Sequence, residues 1–363
     1  VHLVEATLRD FRNYREATLA LEPGASLILG RNAQGKTNLL EALYYLGALH
    51  SFRGARPPEL TRAGAEGFFV AGRVAGTGWS GTLAAEFHPR QTRTAVDGRP
   101  ASAGHYHDRL RAVIFGPDDV ALATNATLLR RYLDRGVIRA EPRHLDDLQR
   151  ARRVLEHRNA LLKRGSPAGL EAWDAQLAEL YVAILRRRRE ATARLGSALA
   201  GAYAELAPDP GVGLVLEPSA PEVAQALDEP GRAIARAAEA LRARRGQELR
   251  TRSTAVGPHR DGAALLVDGR EARRYASRGQ ARTAAIALRL VEFDEIVRLS
   301  GEAPVLLLDD AGSELDEERR GRLWERAARA EQVLVTSAGG EGALPGGAPR
   351  ARFEVAAGTI KRA

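Results

Sequence analysis

The run Gly30-Arg31-Asn32-Ala33-Gln34-Gly35-Lys36-Thr37 spells G-x-x-x-x-G-K-[ST] directly behind the apolar segment Leu27-Ile28-Leu29 and ahead of the helical run Asn38-Leu39-Leu40-Glu41-Ala42-Leu43-Tyr44-Tyr45-Leu46. A strand that ends in such a loop and turns into a helix aims several backbone N–H groups, and the positive end of the helix dipole, at a bound phosphate. The spacing predicts a triphosphate-binding loop over residues Gly30, Arg31, Asn32, Ala33, Gln34, Gly35, Lys36, Thr37 and Asn38, with Lys36 on the β- and γ-phosphates and Thr37 holding Mg²⁺. Lys36, Lys163 and Lys361 are the only lysines of the chain. A compact ammonium stands in the loop where arginine serves nearly everywhere else.

A chain of 363 residues has room for two or three domains and a sizeable core. The net charge of +8 favours a polyanionic partner, although arginine richness by itself also follows from codon composition. Cysteine is absent, which excludes disulfides, thiol chemistry and cysteine metal sites. Methionine is absent too, and the sequence offers no physical account of that. No apolar run reaches membrane-spanning length, and the start Val-His-Leu-Val-Glu has neither a basic nor an apolar leader segment, so the expectation is a soluble cytoplasmic protein with no membrane partner.

Near the N-terminus, Leu3 to Leu8 and Ala17 to Leu21 alternate as paired strands. The link Asp10-Phe11-Arg12-Asn13-Tyr14-Arg15 between them makes Arg12 and Asn13 candidates for the nucleotide base. Further strand-like runs lie at Phe68 to Ala71, Thr82 to Phe87, Thr94 to Val96 and Ala112 to Phe115. From about residue 126 the period becomes helical. Leu148, Ala151, Leu155 and Leu162, then Leu170, Trp173, Leu177, Leu180 and Ile184, flank the breaker Gly165 to Gly169, which predicts an antiparallel helical hairpin. Arg186 to Arg189 in its second helix cover most of the circumference, so at least one must pair or snorkel; a DNA contact and a solvated face are both open. Strands return at Leu265 to Val267, followed by a long helix from Gly279. The run Gly339 to Gly347 reads as a mobile loop.

Two further stretches carry chemistry. Val305-Leu306-Leu307-Leu308 runs into Asp309-Asp310, and in a parallel sheet covered on both faces such an apolar strand delivers its next residues to the ligand end. Asp309 is predicted to orient Mg²⁺ and Asp310 to position or polarise the attacking water, with Lys36, Asp309 and Asp310 as the catalytic set. Ser277-Arg278-Gly279-Gln280 opens the long helix. Alone it reads as an N-cap; beside the other two motifs, Ser277, Gly279 and Gln280 become candidates to cap a γ-phosphate from the far side, in a head-to-tail pair of copies that buries two nucleotides.

Together these stretches resemble the ABC-type ATPase heads of the SMC and RecF group. Narrower matches to the RecF family are Phe11 to Tyr14, Lys36 to Ala42, Ser51-Phe52-Arg53, Phe115-Gly116-Pro117-Asp118-Asp119, Arg130-Arg131-Tyr132-Leu133-Asp134 and Gly257-Pro258-His259-Arg260-Asp261, in order along the chain. The resemblance implies an ATP- and Mg²⁺-dependent homodimer on double-stranded DNA and on single/double-strand junctions. It also implies a weak DNA-dependent ATPase that works with RecR and RecO to direct RecA onto gaps, in the nucleoid-associated cytoplasm. Ser313-Glu314-Leu315-Asp316 would be the D-loop, with Asp316 near the partner's nucleotide. Asp310 is shorter than the glutamate of many ABC ATPases, and Thr336-Ser337 stands where a histidine is usual, which favours slow hydrolysis. No glutamine matches the Q-loop; Asp118 or Asp119 is the candidate. His259 reads as structural ahead of catalytic.

The expected fold is therefore α/β, an ABC-type, SMC-like P-loop ATPase head built from residues 1–120 and 250–363, with a helical arm or lid of residues 121–249 between them. A nucleotide-gated clamp without hydrolysis remains an alternative. A transporter-type ATPase fits poorly with the helical insertion and the positive charge.

Overall fold

The computed structural model describes residues 1–89, 91–106, 109–165, 167–207, 211–310, 317–338 and 349–363. The expected D-loop with Asp316, the run Gly339 to Gly347, and Pro208 and Pro210 lie outside them. The strands are β1 (His2–Phe11), β2 (Tyr14–Ala20), β3 (Gly24–Leu29), β4 (Phe68–Ala75), β5 (Gly81–His88), β6 (Gln91–Val96), β7 (Arg99–Pro100), β8 (Ala112–Phe115), β9 (Val212–Glu217), β10 (Gly262–Val267), β11 (Arg270–Glu271), β12 (Val305–Leu308), β13 (Gln332–Ser337), β14 (Ala351–Ala356) and β15 (Thr359–Arg362). The helices are α1 (Lys36–Ala48), α2 (Pro57–Leu60), α3 (Ala103–Tyr106), α4 (Val120–Thr124), α5 (Ala126–Ala140), α6 (Arg143–Lys163), α7 (Leu170–Ala204), α8 (Pro221–Ala224), α9 (Pro230–Thr251), α10 (Ala272–Tyr275), α11 (Arg278–Ser300) and α12 (Glu317–Ala327). Two compact units result: a head of residues 1–119 and 286–363, and an inserted unit of residues 120–285.

In the head, an antiparallel sheet runs β2-β1-β4-β5-β6-β7, and a mainly parallel sheet runs β15-β14-β3-β13-β12-β8. A register shift between Leu3 and Glu5 puts a bulge in β1, so Leu3 and Ala6 both face inward although three residues apart. β12 is fully buried and β13 nearly so, as expected for parallel strands covered on both faces. Helix α1 is apolar almost all round: Leu39, Leu40, Leu43, Tyr45 and Leu46 join one core with Phe11 and Phe68 of the antiparallel sheet and Ile28, Leu307 and Leu334 of the parallel one. The phosphate loop is thereby seated on a helix that both sheets hold.

In the inserted unit, α6 and α7 form the expected hairpin. The ion pairs Arg158–Asp174 and Arg187–Asp147 fix its antiparallel register. All four arginines of the Arg186 to Arg189 run have acidic partners: Glu190, Asp147, Asp134 with Asp261, and Asp228. Arg188 is 1% exposed and accounts for three of the sequence motifs at once. Its guanidinium binds Asp134 through Nε (2.8 Å) and Nη2 (2.9 Å), and Asp261 and the Pro258 carbonyl through Nη1. Arg130 adds bonds to the carbonyls of His259 and Asp261.

The boundary expected at residue 250 is corrected to residue 286. β10 forms its ladder with β9, from Gly262 opposite Glu217 to Val267 opposite Val212, so this strand belongs to the inserted unit. A strand's polar groups must find a partner strand, and the sequence pattern did not say which. The Ser277 motif falls in the inserted unit with it, and α11 carries the chain back into the head.

Candidate nucleotide-binding site

The parallel register brings three strand ends to one edge of the head sheet: Leu29 of β3, Ser337 of β13 and Leu308 of β12. β13 lies between the other two. Beyond β3 the loop closes tightly at its two glycines. A Cβ on Gly30 would stand 2.3 Å from the Val355 carbonyl oxygen, and one on Gly35 (φ 121°) would meet the Asn13 amide at 2.6 Å. Lys36 follows at the first turn of α1, its Nζ donating to the carbonyls of Gly30 (2.6 Å) and Arg31 (3.1 Å). Arg31, Asn32 and Ala33 form the exposed rim.

Asp309 is the centre of the carboxylate side. Thr37 Oγ1 donates to it at 2.8 Å from Oδ2 and 3.0 Å from Oδ1, and Thr336 Oγ1 donates to Oδ1 at 2.8 Å. Thr336 Oγ1 in turn accepts the Asp310 N–H at 2.9 Å. Burial pushes the Asp309 carboxyl above its ordinary value, with Asp310 and Asp118 adding to the rise and the two hydroxyls opposing it. Asp310 follows in a left-handed conformation (φ 49°), a sharp turn that carries its side chain out of the strand line.

The Phe11 to Tyr14 turn supports the loop from below. Asn13 Nδ2 donates to the Gln34 carbonyl at 2.9 Å, its Oδ1 accepts from Asn38 Nδ2 at 2.8 Å, and the Tyr14 hydroxyl donates to the Gly35 carbonyl at 2.9 Å. The Arg12 guanidinium donates from Nε and Nη2 to the buried Glu41 of α1 and from Nη1 to the Glu59 carbonyl. It ties α1 to its neighbours. Of the Q-loop candidates, Asp119 is buried, accepts the Gly116 N–H and pairs with buried Arg289 at 2.7 Å, whereas Asp118 is exposed and pairs with Arg53.

In the inserted unit Ser277 and Gln280 form a capping box. The Ser277 N–H donates to Gln280 Oε1 at 2.8 Å and the Gln280 N–H to Ser277 Oγ at 3.2 Å. This uses a lone pair of the hydroxyl and leaves its O–H donor available. A Cβ on Gly279 would find only Ser277 Oγ, at 3.9 Å.

The sequence had not pointed to the C-terminal hairpin of β14 and β15. The Ala357 N–H donates to Gln34 Oε1 at 2.7 Å and the Gly358 N–H to the Gln34 carbonyl at 3.2 Å, so this turn grips the phosphate loop. The available signal was the alternation Ala351-Arg352-Phe353-Glu354-Val355-Ala356 with the turn Ala357-Gly358 after it.

A cradle of backbone closed by two tight glycines fits a triphosphate. Two hydroxyls and a carboxylate, with no ion-pair partner for Asp309 among the described residues, form the hard oxygen set that Mg²⁺ prefers. No helix among the described residues is long and apolar enough to cross a membrane.

Strand order, loop and carboxylate define a P-loop ATPase head of the ABC and SMC kind. The family described as RecF/RecN/SMC N-terminal domain matches residues 2–342. The chain belongs to the RecF family of DNA replication and repair proteins: it is 39% identical over 359 residues to RecF of Acidothermus cellulolyticus, covering 96% of each chain. To RecF of Trichlorobacter lovleyi it is 34% identical over 339 residues, covering 92% of this chain and 91% of that one. Among solved structures it matches the recombination mediator protein RecF–ATP of the RecFOR pathway at a TM-score of 0.86 and 29% identity, over 100% of this chain and 99% of that one. The Smc head of Pyrococcus furiosus, at a TM-score of 0.51 and 16% identity, shares the fold alone.

Proposed function

We propose that this chain binds ATP with Mg²⁺ at the Gly30 to Thr37 loop, hydrolyses it slowly, and uses it to close two copies head to tail on DNA. The observation that carries the reading is the convergence of Thr37 and Thr336 on Asp309 at the rim of the loop. Backbone N–H groups of the loop and α1 cradle the phosphates, and Lys36 exchanges its two carbonyl partners for phosphate oxygens. Thr37 and Asp309 would hold the Mg²⁺, whose charge offsets the negative charge that builds on the phosphates. Asp310 orients the attacking water and takes its proton. Its backbone is fixed through Thr336, a hydroxyl that cannot act as an imidazole would, and this supports slow turnover.

Ser277, whose hydroxyl proton the capping box leaves unused, caps the partner copy's γ-phosphate together with the N–H groups of α11. By likeness to recombination mediators of the RecFOR pathway, the closed dimer acts with RecR and RecO at single/double-strand junctions to direct RecA. Hydrolysis then sets the lifetime of the clamp, with DNA stimulating it. A clamp that never hydrolyses ATP is the rival, and absence of phosphate release in a single turnover with DNA would favour it.

Sedimentation velocity with ATP and Mg²⁺, with ADP, and with the variants Lys36→Met and Ser277→Arg tests the reading. The expected result is a dimer with ATP only, lost in both variants, with ATP binding lost in Lys36→Met and kept in Ser277→Arg. A Ser277→Arg protein that dimerises normally would remove the trans-capping role.

A further inference from the structure

The net charge of the chain is unevenly divided. The inserted unit holds 29 arginines and lysines against 20 acids, a net +9, whereas the head holds 25 against 26. Codon composition would enrich both units alike, so the imbalance has a local cause.

Many arginines of the inserted unit are matched. Those of the Arg186 to Arg189 run all have carboxylate partners, and in α9 Arg232, Arg236, Arg244 and Arg245 pair with Glu229, Glu239, Glu222 and Asp174. Exposed cations without a carboxylate partner among the described residues gather at the end of α6 and the end of α9, besides single ones at Arg131, Arg242, Arg270 and Arg278. From Arg150 onward the exposed positions of α6 and its C-cap include Arg150, Arg152, Arg153, Lys163 and Arg164, and a single acid, Glu156; Arg152 engages Glu156 and Arg150 engages Asp147 one turn back. Arg153, Lys163 and Arg164 have no carboxylate partner among the described residues, nor have the exposed Arg250 and Arg252. The two groups are tied together, because Asn159 of α6 accepts from both the N–H (2.9 Å) and the hydroxyl (2.7 Å) of Thr254, just past α9. By contrast, the charged residues exposed on the first turns of α7 are Glu171 and Glu179.

We infer that this face of α6 with the C-terminal turn of α9 is the surface on which the chain holds duplex DNA, through phosphates and without reading sequence. The inference rests on the DNA reading proposed above and adds where the DNA sits on the chain. Arg153 and Arg164, the residue that closes α6, fall at i and i+11 on one side of the helix, a stripe of about 17 Å at 1.5 Å per residue, which matches about five base pairs of duplex axis. The side chains are long, exposed and held by no acid, so a phosphate can take them without breaking an existing pair. His157 stands on the same side, stacked flat on Trp173 of α7 (4.8 Å, 7°), which ties this face of α6 to the neighbouring helix.

The test is the affinity of the full chain for a labelled random-sequence duplex between 50 and about 200 mM salt, compared with the triple variant Arg153→Gln, Lys163→Gln, Arg164→Gln. Each phosphate contact removed lowers the slope of log K against log salt by about 0.9, so the variant should lose two to three units of slope and about 10- to 100-fold in affinity at 0.15 M salt. ATP affinity and the circular dichroism spectrum should be unchanged. The paired double variant Arg232→Gln, Arg236→Gln should bind as the wild type does. A wild type with steep salt dependence and a triple variant with the same slope would overturn this surface and leave the DNA reading standing. A wild type that does not bind duplex at all would overturn both. Loss of binding to phosphatidylserine vesicles in the triple variant, with no effect on duplex, would assign the face to a membrane and overturn the inference.

Discussion

Buried charge does different work in the two units. In the inserted unit Arg188 makes four bonds to Asp134, Asp261 and the Pro258 carbonyl, and Arg158 makes three, to Asp174, Glu248 and Thr254. Burial would raise the Asp134 carboxyl, but Arg188 and His144 outweigh it and hold it down at about 2. In the head, Asp309 is as firmly placed, yet its partners are hydroxyls and its carboxyl is pushed up. A carboxylate neutralised by a guanidinium is committed to architecture; one buried among hydroxyls has no such counter-charge within the protein, and burial disfavours its ionised form until a cation is supplied. The contrast also separates the arginines, since those with full sets of partners hold helices together, whereas those without them, Arg153 of α6 among them, stay exposed.

The largest effect that would break this comparison is expected from Arg188→Leu. It leaves Asp134 and Asp261 buried without their cation and should cost about 3–5 kcal/mol in urea unfolding. ATP affinity, a property of the head, should stay within a few-fold. A loss below about 1 kcal/mol would mean that the network is not structural.

His259 gives a pH signature of the same unit. Its Nε2 donates to the Thr254 carbonyl at 3.1 Å, Nδ1 is buried without a partner, and burial lowers its pKa from 6.5 to about 4. The neutral ring is the folded form. Its contribution is therefore present above pH 6.5 and lost as pH falls through about 4, up to about 3 kcal/mol in all. His259→Gln keeps a donor for Thr254 and removes the proton, so thermal unfolding between pH 7 and about 4 should vary less with pH in the variant. An unchanged profile would assign the acid sensitivity to other groups.

The smallest effect sharpens the description of the head. Gln34→Ala removes the side-chain bond from the Ala357 N–H and should cost about 1 kcal/mol of stability with less than tenfold in ATP affinity. A loss above 100-fold would mean that Gln34 touches the phosphates itself.

Much of the site was legible because its chemistry is written in contiguous residues. A phosphate loop must have its glycines, lysine and threonine at fixed spacing, and an acid pair that follows a buried strand is readable from the apolar run before it. The helical hairpin was legible for a similar reason, a period of three and four interrupted by a glycine-rich breaker. The partner of Arg12 was not legible: the polar turn next to the loop shows a guanidinium, and only the fold sets Glu41 of α1 behind it.

By itself, then, the sequence determined the elements, the phosphate loop and the acids, since each depends on neighbours in the chain. The tertiary structure decided the rest: that β13 inserts between β3 and β12 and so brings Thr336 to Asp309, that the hairpin after Ala351 folds onto Gln34, that β10 joins the inserted unit, and which arginines find acids. Strand order and charge pairing join residues hundreds of positions apart, and a local pattern fixes which way a side chain faces without naming the partner it will meet.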